Sequence, residues 1–170
     1  MPLVSIDMSA VFSINMGGER SLTVPGRYKE IKRICEFVAA GAAQAGFDEE
    51  AIFHLELCCD EASTNIIEHA YGGEDGGDIT ISYKIGEDDF TIVICDQGAT
   101  FDPGLVPSPP TIDADEDSLD EVINQLRIGG LGLHFIRNLM DEVHFSSDRQ
   151  KGNELVMVKK LESKPDKEAS

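Results

Sequence analysis

Apolar residues recur at the three- and four-residue spacing of an amphipathic helix in three parts of the chain. The first predicted helix opens at Pro25-Gly26 and ends at Gly46. The second begins after Asp48, a typical N-cap, and runs to about Tyr71, and the third lies at about 131–141. We expect the apolar face of each helix to be buried. On the first helix this face comprises Tyr28, Ile31, Ile34, Cys35 and Val38.

Apolar and polar residues alternate in other segments, and this pattern predicts β-strands. The predicted strands are 9–15, 20–24, 78–85, 89–96, 142–147 and 153–160. Helices and mostly antiparallel strands come in separate blocks instead of a strict βαβ alternation, which favours an α+β fold built as a two-layer α/β sandwich. We expect a single domain over residues 1–162, followed by a disordered polar tail at 163–170.

The segment from about 102 to 128 follows neither pattern. Its four prolines forbid a long helix, and six of the nine residues in 113–121 are acidic. A loop of this length in a compact domain is typical of a functional lid or of disorder. The aspartate spacing resembles an EF-hand loop, but Ser118 and Asn124 stand where that loop needs glycine and glutamate. A solvated acidic segment is the favoured interpretation.

The charge balance excludes some partners and favours others. Fourteen Lys and Arg against 32 Asp and Glu give a formal net charge of −18 at pH 7. Such a field repels phosphate backbones, so we expect no direct nucleic-acid binding. The charge instead favours a basic protein partner, or simply solubility. No run of 18 apolar residues and no signal-peptide pattern is present, so we expect no membrane association and a cytoplasmic location.

Four cysteines and four histidines occur without metal-ligand spacing. The cysteines lie in apolar runs and have no CxxC spacing, which favours reduced, buried thiols over a zinc site.

A carboxylate and an amide lie one turn apart on the second predicted helix. Glu61 and Asn65 share a face roughly opposite the apolar stripe, because they are four residues apart. A solvated helix face is one interpretation of this pair. The other is a partly covered cleft, in which the carboxylate acts as a general base and the amide oxygen coordinates Mg²⁺.

Two further segments have the character of a ligand site. Asp96-Gln97-Gly98 ends a strongly apolar strand, so that Asp96 is either a turn residue or an acceptor for an amino group of a bound base. Gly129-Gly130-Leu131-Gly132 precedes the third predicted helix. It is either a hinge or an anion site in which glycines let a phosphate reach the helix N-terminus. No Walker A motif exists in the chain, so a P-loop is excluded.

These segments resemble sequence boxes of the GHKL ATPases, which include gyrase, histidine kinases and MutL. The segment from Glu61 to Tyr71 resembles the N-box, and Asp96 to Pro103 resembles the G1 box. The glycine-rich run with Leu139-Met-Asp-Glu-Val143 resembles the G2 box of one branch, the bacterial anti-sigma-factor serine/threonine kinases. The resemblance covers about residues 24–160.

The resemblance implies a Bergerat-type fold, with a mixed, mostly antiparallel sheet and helices on one face, that binds ATP and Mg²⁺ beneath a lid at about 102–128. It implies Glu61 as the general base and Asn65 as the Mg²⁺ ligand. It further assigns Asp96 to the adenine amino group and Gly98 to the shape of that pocket. The phosphate-binding glycines would be Gly129, Gly130 and Gly132. Arg127, whose role no motif fixes, stands where a cation could reach the γ-phosphate. Ala99 departs from the pattern, because many relatives have a second glycine there.

The function that the resemblance implies is an ATP-dependent protein serine/threonine kinase that also sequesters a sigma factor. Its substrate would be a STAS-type anti-anti-sigma protein, and it would form a homodimer through its N-terminal strands. A non-catalytic nucleotide-binding partner switch or adaptor is the alternative.

Overall fold

Six strands form one sheet in the computed structural model, which describes residues 11–14, 18–100, 102 and 130–162. The strands are β1 (Val11–Ile14), β2 (Arg20–Pro25), β3 (Asp78–Ile85), β4 (Asp89–Asp96), β5 (Glu142–Asp148) and β6 (Gly152–Lys160). Their order in the sheet is β1-β2-β3-β4-β6-β5, and all five pairings are antiparallel. The prediction of a mostly antiparallel sheet is therefore confirmed.

One face of this sheet forms the floor of the core. Leu22, Ile81, Ile94 and Leu155 lie side by side across four strands, and all four are buried. Every second residue along these strands points to the same face, so the alternation seen in the sequence becomes one continuous apolar layer.

Three helices belong to the described chain, namely α1 (Tyr28–Ala45), α2 (Glu49–Asn65) and α3 (Gly130–Leu139). Aromatic contacts pack α1 and the α1–α2 loop against the core face of the sheet. The rings of Phe37 and Tyr83 lie 4.8 Å apart, and those of Phe47 and Phe90 lie 5.8 Å apart. The result is an α+β sandwich, as expected.

The helix ends follow the predicted signals. Gly46 ends α1 in the left-handed conformation, with φ 101°, and its N–H donates to the carbonyls of Ala42 and Ala43. Asp48 caps α2, because its carboxylate accepts the N–H of Ala51 at 2.8 Å.

Two details differ from the sequence-based expectation. Tyr28, assigned to the buried face of α1, is 46% exposed, because it is the first residue of the helix and its N–H donates to Glu74 at the surface. The second helix was expected to continue regularly to about Tyr71, but residues Ile66–Ala70 form a π-helical turn. That turn places Ala70 and Tyr71 against the strand ends described below.

The four cysteines are all free, as predicted. Cys58 and Cys59 are fully buried, whereas Cys35 and Cys95 are half-buried. Burial raises the pKa of Cys35 and of Cys58 to about 12, so neither is a ready thiolate ligand or nucleophile.

Several predicted features lie outside the described residues. They are the start of the first strand, most of the lid at 102–128 with its acidic segment, and the tail at 163–170. Within the described ranges, none of the helices combines the length and apolarity needed to span a bilayer.

Replacing Ser63 by alanine should stabilise the chain. Ser63 is fully buried on α2, and its hydroxyl is the one buried side-chain polar atom without a hydrogen-bond partner in the described part of the chain. Removing it relieves a desolvation cost of roughly 1–3 kcal/mol. Thr64→Ala is the control, because the Thr64 hydroxyl has a partner in Asp60 at 3.5 Å and its removal relieves no buried, unpartnered group. Urea unfolding should show a clearly larger gain for Ser63→Ala, and a loss of stability would show that the hydroxyl has a favourable partner.

Candidate active site

The first turn of α3 packs directly on the face of α2 that carries Glu61 and Asn65. A β-carbon placed on Gly132 would lie 2.7 Å from Glu61 Oε2 and 3.4 Å from Asn65 Nδ2. Both side chains are half-buried. This face is therefore covered by α3 rather than being a solvated helix surface, and a side chain at position 132 would displace the Glu61 carboxylate from its observed place.

The pKa of Glu61 is raised above its ordinary value. Partial burial is the largest cause, and the negative charges of Asp60 and Glu68 add to it. A carboxylate with a raised pKa is a stronger base once ionised, which suits proton abstraction at neutral pH.

Asp96 lies at the end of β4 with one carboxylate oxygen already engaged. It is 5% exposed, and its Oδ1 accepts the N–H of Gly98 and the side-chain amide of Asn153, both at 2.8 Å. No donor from the described chain reaches Oδ2. That oxygen is also absent from the fully buried, unpartnered atoms. It is therefore available to accept a hydrogen bond from a ligand.

The turn after Asp96 is held against the end of α2. A β-carbon on Gly98 would lie 2.6 Å from the carbonyl carbon and oxygen of Ala70, so glycine is required there by backbone packing. The N–H of Ala99 donates to the Ala70 carbonyl at 2.8 Å. Among the described non-glycine residues only Asp75 has a positive φ, so Ala99 occupies its position without backbone strain.

Sequence reasoning missed Asn153 and Ser147. Asn153 is the register partner of Asp96 and is 4% exposed, and its Oδ1 accepts the Ser147 hydroxyl at 2.6 Å. Its amide group also donates to the Ala99 carbonyl at 2.9 Å. The signal for Asn153 was the alternation along β6. Every second residue from Asn153 to Met157 is buried, and Asn153 is the polar first member of a set that continues with Leu155 and Met157.

The glycine-rich run is described only in part. Gly130 begins α3, and Gly132 in its first turn lies against Glu61 and Asn65, so the helix end whose N–H groups lack intrahelical partners is next to this pair. Arg127 and Gly129 lie outside the described residues. Within the described ranges, no group of three His, Cys, Asp or Glu side chains is arranged to hold a metal ion.

The chain shares a domain with a known family. Residues 24–159 match the family model of the histidine kinase-like ATPase domain, which is most of the chain. The chain belongs to this family. The match contains all the segments that form the cleft and confirms the resemblance drawn from the sequence boxes.

Relatives within this family carry a named activity. The serine-protein kinase RsbW of Listeria monocytogenes is 41% identical over 123 residues, which cover 72% of this chain and 74% of the relative. The protein of the same name from Halalkalibacterium halodurans is 32% identical over 146 residues, covering 83% of this chain and 82% of the relative. That of Bacillus licheniformis is 33% identical over 112 residues, or 63% and 64% of the two chains.

Alanine should be tolerated at position 132 far better than at position 98. At Gly132 the nearest atom to the added methyl group is Glu61 Oε2, at the end of a flexible side chain that can rotate away, and Glu61 Cβ at 3.3 Å needs only a small shift. At Gly98 it meets the backbone of Ala70, which cannot, so we expect Gly98→Ala to lose about 1–3 kcal/mol of unfolding free energy. Gly132→Ala should change it by less than about 0.5 kcal/mol. Urea unfolding measures both, and equal losses would contradict the described packing.

Proposed function

We propose that this chain binds ATP with Mg²⁺ in the cleft between α2, the Asp96 turn and the start of α3, and transfers the γ-phosphoryl group to a serine or threonine of a protein. The observation that carries the proposal is the contact of Gly132 with Glu61 and Asn65, which brings a helix N-terminus to a carboxylate and an amide. The relatives named serine-protein kinase support the choice of substrate class.

The adenine would bind at the Asp96 turn. Asp96 Oδ2 is the acceptor for the 6-amino group, because Oδ1 is occupied by Gly98 and Asn153. Gly98 shapes this end of the pocket through its packing on Ala70. From Glu61 to Asn65 α2 rises about 6 Å at 1.5 Å per residue, and the π-helical turn adds further length before Ala70, which separates the adenine from the phosphoryl end of the cleft.

The triphosphate would bind at the other end of the cleft. The N-terminal amides of α3, with Gly129, Gly130 and Gly132, receive the phosphate oxygens, and Arg127 supplies a further cation. Asn65 offers one hard oxygen ligand, which fits Mg²⁺ because this ion keeps several waters and phosphate oxygens among its ligands. Mg²⁺ would neutralise charge that develops on the phosphates.

Glu61 is the general base for phosphoryl transfer. Its carboxylate takes the proton of the attacking hydroxyl as that oxygen bonds to the γ-phosphorus. The bond from the γ-phosphorus to the bridging oxygen breaks, and ADP leaves with the bond pair. Protein groups contribute mainly by positioning and charge stabilisation. Gly132 contributes by leaving space for the Glu61 carboxylate between α2 and α3.

The protein partners follow from the branch that the sequence boxes resemble. We propose that the chain is an anti-sigma factor, which sequesters a sigma factor and phosphorylates a STAS-type anti-anti-sigma protein. The net charge of −18 supports a basic, DNA-binding partner and would accelerate its capture at low salt.

A homodimer through the N-terminal strands completes the proposal. Among the described strands, β1 lies at one edge of the sheet, a position at which a further strand can pair. A monomeric mass in solution would contradict this part. The single-domain boundary at 1–162 also stays a prediction, and the family match at 24–159 lies within it.

A non-catalytic partner switch is the second candidate function. It would keep nucleotide binding and transfer nothing. The departure at Ala99 leaves room for it, although that residue is accommodated without backbone strain. The raised pKa of Glu61 favours catalysis instead.

Glu61→Gln should remove phosphotransfer while leaving ATP binding intact, because it keeps the shape of the side chain and removes the base. We expect kcat to fall by about 10²–10⁴-fold. The assay is transfer of labelled phosphate from ATP–Mg²⁺ to a purified STAS-type anti-anti-sigma protein. Glu87→Gln, on the exposed β3–β4 hairpin, is the matched control and should be fully active. Equal activity of Glu61→Gln and wild type would refute the kinase mechanism, and nucleotide binding without transfer by wild type would favour the partner switch.

Asp60→Asn should move the acid limb of the pH–rate profile to lower pH. Glu61 must be ionised to act as base, and the negative charge of Asp60 contributes to its raised pKa. Removing that charge lowers the pKa of Glu61, so activity persists to lower pH than in wild type. The measurement is kcat between pH 5 and 8, with Glu87→Gln as control, and an upward shift would contradict the assigned base.

A further inference from the structure

Tyr71 joins the end of α2 to two neighbouring strand ends. It follows the π-helical turn, and its hydroxyl donates to the carbonyl of Asp78, the first residue of β3, at 2.6 Å. The same hydroxyl accepts the N–H of Gln97 at 3.0 Å. Gln97 directly follows Asp96, so one hydroxyl links the helix of Glu61 to the peptide beside the proposed adenine acceptor.

The ring of Tyr71 packs closely against the backbone of three glycines. A β-carbon on Gly77 would lie 2.6–2.8 Å from the ring and hydroxyl, and one on Gly76 would lie 2.5 Å from the Tyr71 β-carbon. A β-carbon on Gly26 would reach the ring at 3.3 Å. This close fit determines where the hydroxyl points, and burial raises its pKa, so it stays protonated and keeps donating to Asp78.

The Asp96 turn is held on two sides. On the β6 side, Asn153 bonds the Asp96 carboxylate and the Ala99 carbonyl. On the α2 side, the Ala70 carbonyl bonds Ala99, and Tyr71 bonds Gln97. Among the described hydrogen bonds from the α2 side to this turn, Ala70 contributes a backbone carbonyl and Tyr71 contributes a side chain.

We propose that Tyr71 is a positioning residue for base recognition: its hydroxyl fixes the peptide between Asp96 and Gln97 and thereby holds Asp96 Oδ2 at the place where the 6-amino group of adenine binds. This inference rests on the proposed function, because it requires that Asp96 accept from the base. It adds that selection for adenine depends on a tyrosine that touches neither the base nor the phosphates.

A structural role alone has a different consequence. If Tyr71 served only to stabilise the fold, its loss would weaken every nucleotide equally. A positioning role instead changes the preference for ATP over purine riboside triphosphate, which carries hydrogen in place of the 6-amino group and offers Asp96 nothing to accept.

The test compares Tyr71→Phe with Tyr28→Phe in the full chain. Tyr71→Phe keeps the ring packed against these glycines and removes the hydroxyl. Tyr28→Phe removes a surface hydroxyl that only approaches Glu68 at 3.4 Å. The dissociation constants of ATP and of purine riboside triphosphate are measured calorimetrically with Mg²⁺. Thermal unfolding is followed for each variant.

Tyr71→Phe should weaken ATP binding by about three- to tenfold, the range of one lost hydrogen bond, and purine riboside triphosphate by less than twofold. The preference for ATP therefore falls, while kcat at saturating ATP changes by less than about twofold. Tyr28→Phe should change neither affinity. Equal weakening of both nucleotides by Tyr71→Phe would overturn the inference.

Asp96→Asn separates this inference from the proposed function. If Asp96→Asn leaves the preference for ATP unchanged, the adenine site itself is wrong and both proposals fail. If Asp96→Asn abolishes the preference while Tyr71→Phe leaves it intact, only the role of Tyr71 is overturned. In the double variant, Tyr71→Phe should cause no further change of preference, because it acts through Asp96.

Discussion

The close backbone contact between Ala70 and Gly98 connects the two ends of the candidate site. It joins the end of α2, which carries Glu61 and Asn65, to the turn that follows Asp96 at the end of β4. A side chain at position 98 would push the helix end away from the strand end. The π-helical turn at Ile66–Ala70 serves the same contact, because it sets where Ala70 and Tyr71 meet the sheet.

The antiparallel register of the sheet determines what surrounds Asp96. One row of register partners runs across four strands and consists of Val24, Ile79, Asp96 and Asn153. The first two residues of this row are apolar and the last two are polar. The polar pair can be buried because each member satisfies the other, with Ser147 and Gly98 completing the hydrogen bonds. The remaining oxygen of Asp96 has no hydrogen-bond partner among the described residues, which leaves it free for the role of base acceptor that we propose.

Much of this arrangement could be predicted from local sequence patterns. The helix ends at Gly46 and Asp48 and the strands around residues 86–88 follow from signals within a few residues. The pairing of Asp96 with Asn153 could not, because it joins residues 57 positions apart through the strand order. The contact of Gly98 with the backbone of Ala70 could not be predicted either, because these two residues are 28 positions apart in the sequence.

The central claim is that α2, the Asp96 turn and the start of α3 form one nucleotide pocket. The most direct test is a crystal structure of the chain with a non-hydrolysable ATP analogue and Mg²⁺. The 6-amino nitrogen should lie about 3 Å from Asp96 Oδ2, a normal hydrogen-bond distance, with the γ-phosphate between Glu61 and the first turn of α3. A base bound away from Asp96, or a triphosphate that avoids the Glu61–Asn65 face, would contradict the account.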